Sequence, residues 1–131
     1  TLERALREHD AAASQLRFAD ALAAAFSVVD AANKHYQRTQ PWQLAREPER
    51  RAELAASLYT GCEAVRLLAY LLWPYLPATA ERIADQLGVP SPAAASWAEV
   101  ASWGVTRPGT ELRPGPALFP RIETVKVATS A

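Results

Sequence analysis

The alternation of apolar and polar positions divides the chain into a helical first two-thirds and an irregular remainder. Leu2 and Leu6 stand one turn apart and predict a short opening helix of about three turns at most. From Leu16 onward, Phe18, Leu22, Ala25, Phe26, Val29, Ala32, Asn33 and Tyr36 recur at steps of three and four. They form one stripe, apolar until Asn33 interrupts it. Pro41 ends this helix, because it brings no amide donor and restricts Gln40 to extended conformations. A third helix is predicted from near Pro48, where proline suits a first turn and Glu47 and Glu49 suit the positive end of the helix dipole. Its stripe runs Leu54, Leu58, Cys62, Val65, Leu68, Ala69 and Leu72, with Gly61 beside it to admit a neighbouring helix, and it yields at Trp73-Pro74. A shorter helix follows from Pro77, turning Thr79, Ala80, Ile83 and Leu87 inward and stopping at Gly88.

Beyond Gly88 the character changes. The stretch from Val89 to Glu123 holds six of the ten prolines and three of the five glycines, with room for one short helix around Trp97 to Ala101. Trp97, Trp103, Leu118, Phe119 and Ile122 in this stretch are large apolar groups that need a surface to bury against. The predicted fold is therefore all-α, an antiparallel helix bundle with an extended C-terminal tail packed back on it. Residues 1–88 form the bundle, and residues 89–131 the Pro-rich connector, short helix and docked tail of the same domain.

Composition narrows the function. Half the residues are hydrophobic and the charges balance at 14 against 14, which suits a folded core and excludes indiscriminate nucleic-acid binding by a global field. No apolar run is long enough to span a bilayer, and no basic-then-apolar signal opens the chain. The single Cys62 fits a reducing compartment and, on an apolar stripe, reads as a buried inert thiol. There is no Met, and Thr1 already stands in a helical pattern, so a piece of a longer protein is expected. His9 and His35 have no Cys or acidic partner at ligand spacing, so no metal site is expected. No phosphate-cradling glycine loop or nucleophile elbow is present, and the acidic residues read as solvated helix faces. No catalytic residue is assigned.

One constellation stands out. Asn33, Lys34, Tyr36, Arg38, Pro41, Trp42 and Arg46 gather where the second helix meets the third, and Lys34 to Arg51 contains five Lys or Arg against two Glu. Trp42 reads either as a plug at the end of the bundle or as a surface for stacking, with the cations either complementing a helix C-terminus or holding phosphates. Asn33 on an apolar stripe needs partners, since an unpaired buried amide costs about 1–3 kcal/mol. An aromatic ring among cations is also the arrangement that recognises single-stranded RNA.

These residues resemble a known family, the anticodon-binding domain of methionyl-tRNA synthetase, a class I enzyme. Three blocks carry the resemblance: Asn33 followed nine residues later by Trp42 in "QPWQLAR", then "VRLLAYLLWPYLPATAERIADQLG", then "LFPRIE" at 118 to 123. The resemblance implies that Trp42 stacks on an anticodon base, with Asn33, Lys34, Arg38 and Arg46 as its RNA-binding neighbours. It implies a tRNA partner through the anticodon region, a catalytic domain in the same polypeptide, a cytoplasmic location, and neither DNA nor membrane as a partner. This chain would bind no cofactor and catalyse nothing; ATP and Mg²⁺ would be used by the catalytic domain outside it. Synthetase catalytic motifs and the family's earlier Asn and Arg anticodon readers are not in these residues, and His35 stands where the family tends to have Tyr. The alternative is a scaffold domain of a synthetase-like amino-acid ligase that binds no tRNA.

Overall fold

The computed structural model describes residues 2–122, and within them all regular structure is helical. The opening helix, α1 (Leu2–Ser14), is longer than the two leucines suggested, because Ala5, Leu6, His9 and Ala12 continue one buried face. It turns at Leu16, whose φ of 59° lies in the left-handed region and whose side chain is left in solvent. The amides of Gln15, Leu16 and Arg17 close the turn onto the carbonyls of Ala12 and Ala13. The long helix α2 (Phe18–Thr39) then runs back beside α1.

The predicted stripe on α2 is displaced. Its buried residues are Ala21, Ala24, Ala25 and Val28, while Phe18 and Phe26 are half-exposed. Alanines let α2 pack closely against both of its neighbours, α1 and α4, and the large aromatics are left along the margins. After a four-residue helix α3 (Pro41–Leu44) and a 3₁₀ turn at Pro48–Arg50, the chain enters α4 (Arg51–Leu72), which is central to the fold.

On α4 the expected stripe holds at Ala69 and Leu72, which are buried, and moves before them. Leu58 and Val65 are exposed and Leu54, Cys62 and Leu68 are only partly covered, whereas Ser57, Gly61, Ala64, Leu67 and Leu71 are buried. Small residues again win the inner line, because α2 crosses there. Gly61 shows the reason: a Cβ added to it would lie 1.6 Å from the Tyr36 hydroxyl oxygen, so the glycine makes room for the phenol. Cys62 is half-buried, and burial pushes its thiol above the ordinary value, which suits an inert group. Prolines and glycine place α5 (Pro77–Leu87) as expected, with Pro77 in its first turn and Gly88 at φ 66° beyond its end. The short helix α6 (Trp97–Ala101) also falls where it was predicted, opened by a capping box between Ser96 and Glu99.

The tail is docked chiefly by polar groups; of the apolar residues expected to bury, Leu118 is partly covered in a hollow beside Val65 and Ile83. Phe119 is 71% exposed and Ile122 89%, while Trp97 and Trp103 are half-exposed. Glu63, expected on a solvated face, is instead fully buried at 0% exposure and grips the segment after α6. Its carboxylate accepts from the amides of Gly104, Val105 and Thr106 at 2.6, 3.2 and 3.0 Å, and from the Thr106 hydroxyl. Gly104 at φ 81° supplies the left-handed step that turns successive amides toward one anion. Arg66 pairs with the same carboxylate at 2.9 and 3.0 Å and donates to the Ser102 and Glu99 carbonyls. Farther along, the Arg113 amide donates to the Gln86 carbonyl at 2.7 Å, laying the chain on α5. Glu123, the last residue of "LFPRIE", and the residues after it lie outside the described residues.

Candidate nucleic-acid interface

The corner between α2 and α4 is built by a helix stop and a plug. The Gln40 amide closes the last turn of α2 on the Tyr36 carbonyl at 2.8 Å. Gln40 is left-handed, at φ 46° and ψ 60°, and not extended as its position before proline suggested. The helix cap decides this, because a left-handed residue after the last turn bonds a terminal carbonyl and reverses the chain at once. Pro41 then starts α3 without losing a needed donor.

Within α3 the plug is Leu44, which is 4% exposed against α4. Trp42, two residues earlier, is 53% exposed. The space at the end of the bundle is thus filled by the leucine, and the indole stands at a corner whose backbone is held on both sides. Asn33 is exposed, which removes the buried-amide argument made for it; on α2 it is open to solvent.

Lys34 and Arg38, one turn apart on α2, come together with His35 and Arg4 in an open groove of about 580 Å³ between α1 and α2, which Glu8 and Asp30 also line. Asn33, Trp42 and Arg46 are not in its lining; Arg46 is exposed in the turn after α3. None of the ion pairs among the described residues uses Lys34, Arg38 or Arg46. Arg50, in contrast, is held between Glu47 and Glu53 at 3.3 and 2.8 Å, and hydrogen bonds to those carboxylates raise its pKa. It is engaged within the fold, so the corner is less basic than a count of its residues suggests. Arg4 was not foreseen in the groove; its side chain bonds Glu8 at 2.7 Å. Nothing local to residues 1–10 signals that position, which exists because α1 folds back along α2.

Residues 1–130 match the model of the family described as the anticodon binding domain of methionyl tRNA ligase. Among curated relatives, the methionine–tRNA ligase of Bacillus subtilis is 31% identical over 92% of this chain and 18% of its own length. That of Streptomyces coelicolor is 37% identical over 83% of this chain and 21% of its own length. The crystal structure of apo Mycobacterium tuberculosis methionyl-tRNA synthetase superposes with a TM-score of 0.70 at 32% identity, covering 95% of this chain and 26% of that one. This chain therefore spans about a fifth of the length of these relatives.

Proposed function

Because this chain belongs to the family of the anticodon-binding domain of methionyl-tRNA ligase, we propose that Trp42 is its base-stacking surface for a tRNA anticodon. The observation that carries this reading is the half-exposed indole at a corner already plugged by Leu44. An aromatic face held rigidly beside solvent offers stacking at little ordering cost. Lys34, Arg38 and Arg46, none of them engaged in an ion pair, supply charge for nearby phosphates, and Asn33 offers both a donor and an acceptor to a base edge or ribose. The domain catalyses nothing; it positions tRNA for a catalytic domain of the same polypeptide that attaches methionine with ATP and Mg²⁺.

A cytoplasmic location fits the unpaired Cys62, and no helix among the described residues is long and apolar enough to cross a membrane. The scaffold alternative has less support, since the relatives that match most of the chain are methionine–tRNA ligases.

The test uses the intact protein that contains this chain. Trp42→Ala should slow charging of a methionine tRNA by roughly tenfold to hundredfold, the range expected for losing one stacked base. A tRNA with a mutated anticodon, already charged poorly, should lose little more. Equal losses for both tRNAs would remove the stacking role, and unchanged charging of the cognate tRNA would favour the scaffold.

A further inference from the structure

The last turn of α2 is closed by a ring of three hydrogen bonds that passes through α4. The Thr39 hydroxyl donates to the His35 carbonyl at 2.9 Å. Thr39 Oγ1 lies 2.7 Å from Ser57 Oγ, which lies 3.3 Å from His35 Nε2. Counting protons gives every bond a direction. A carbonyl only accepts, so the single proton of the Thr39 hydroxyl is committed to His35. The Ser57 hydroxyl must then donate to Thr39, and its oxygen is left to accept from the Nε2–H of His35. Ser57 is 3% exposed, so its hydroxyl is shielded from water and relies on these two partners.

The turn held in this way carries the corner. Thr39 is the last residue of α2, Gln40 reverses the chain, and Pro41 and Trp42 follow. Leu44 is the buried side chain of the four-residue α3, and the ring adds a polar tie to α4 just before that plug. His35 and Thr39 are one turn apart on one face of α2 and both reach the same residue of α4. Among the described residues no other side-chain hydrogen bond joins the last turn of α2 to α4.

We propose that His35, Thr39 and Ser57 are positioning residues for RNA recognition, locking the end of α2 to α4 so that Trp42 meets a base in a preset orientation. This rests on the stacking role of Trp42. Stacking depends on the plane of the ring, and a corner ordered before binding loses less freedom on binding. The ring acts through the indole.

The experiment measures dissociation constants per folded molecule for the intact protein and an RNA hairpin bearing the anticodon loop of a methionine tRNA. Ser57→Ala and Thr39→Val should each weaken binding roughly tenfold, the scale of coupling between contacting residues. Thr39→Ser keeps the hydroxyl and should bind like the parent. In a Trp42→Ala background, Ser57→Ala and Thr39→Val should change affinity by less than about twofold, since the group they orient is gone. A general loss of structure would not show that dependence. Should Ser57→Ala fold poorly, Thr39→Val against Thr39→Ser makes the same comparison. The inference is overturned if Ser57→Ala and Thr39→Val bind within twofold of the parent, or if their losses are equal with and without the indole. Parental binding by Trp42→Ala would instead overturn the stacking role and the ring's part in it. A loss in Trp42→Ala without loss in the ring variants overturns the ring alone.

Discussion

In the middle of α4 a carboxylate and a guanidinium are sealed inside the protein, while at the corner before α4 an indole stands half in solvent. Hydrophobicity alone would arrange these groups the other way round. Glu63 is buried because the protein supplies every partner its oxygens need: a guanidinium, three successive amides and a hydroxyl. Trp42 is exposed because Leu44 already occupies the space it would fill. A buried charge with all its partners inside is consumed by the fold, whereas an aromatic face with no partner inside is available to something else. The difference separates what holds the molecule together from what it can recognise.

Breaking the buried clamp should have the largest effect. Removing one partner of a buried pair leaves an uncompensated charge, so Arg66→Met should destabilise by about 3–5 kcal/mol in urea unfolding. A loss below about 1 kcal/mol would place Glu63 in solvent after all. Next in size, Leu71→Ala should cost about 2–5 kcal/mol as a buried leucine, and Leu58→Ala, 46% exposed, should cost clearly less. The reverse order in the same titrations would restore the stripe expected from periodicity.

Acid should weaken the domain in two windows. Burial alone would raise the Glu63 carboxyl, but Arg66, Thr106 and the amides around it outweigh that and hold it down to about 2. Its stabilisation is therefore complete above the ordinary carboxylate value of 4.5 and is lost as pH falls toward 2. His9, buried among apolar groups, is pushed by burial below its ordinary 6.5, a shift that the Leu71 backbone and Asp10 only partly oppose. The unfolded chain takes up that proton first, so stability also declines as pH drops below 6.5. Urea midpoints followed against pH should show both declines, and His9→Leu should remove the upper one alone. The smallest effect belongs to the tail. Phe119→Ala should change stability by no more than about 0.5 kcal/mol, as for exposed positions generally; a larger loss would mean that this ring packs on the bundle.

Most of the helices and several of their ends were legible because local chemistry sets them, whereas α3 and the full length of α1 were not foreseen. Pro41, Pro48, Pro77 and Gly88 stop or start helices by what their own backbones allow, and Ser96 with Glu99 opens α6. The inner faces were misplaced where small residues outrank large ones. Ala24 is buried because another helix comes close, and periodicity weighted by size points past it to Phe26; Gly61 admits the neighbouring helix as expected, but its line, and not that of Leu58, is the inner one. The burial of Glu63 was out of reach for a different reason. The amides that satisfy it come about forty residues later, from a turn whose geometry no local pattern announces. At the corner, Trp42 was legible as a candidate, but its neighbour Leu44 decides the matter, and a leucine in a polar stretch carries no signal of its own. The ring through His35, Thr39 and Ser57 likewise needs the pairing of two helices before it exists.

The central claim is that Trp42 serves recognition and not the fold, and one paired measurement tests it. Affinity for a methionine tRNA and the urea midpoint are determined on the same preparation of the intact Trp42→Ala protein. The account predicts affinity weaker by roughly tenfold or more, with a stability loss well short of the 3–5 kcal/mol that a buried tryptophan would show. A collapse of the urea midpoint with affinity per folded molecule unchanged would contradict it.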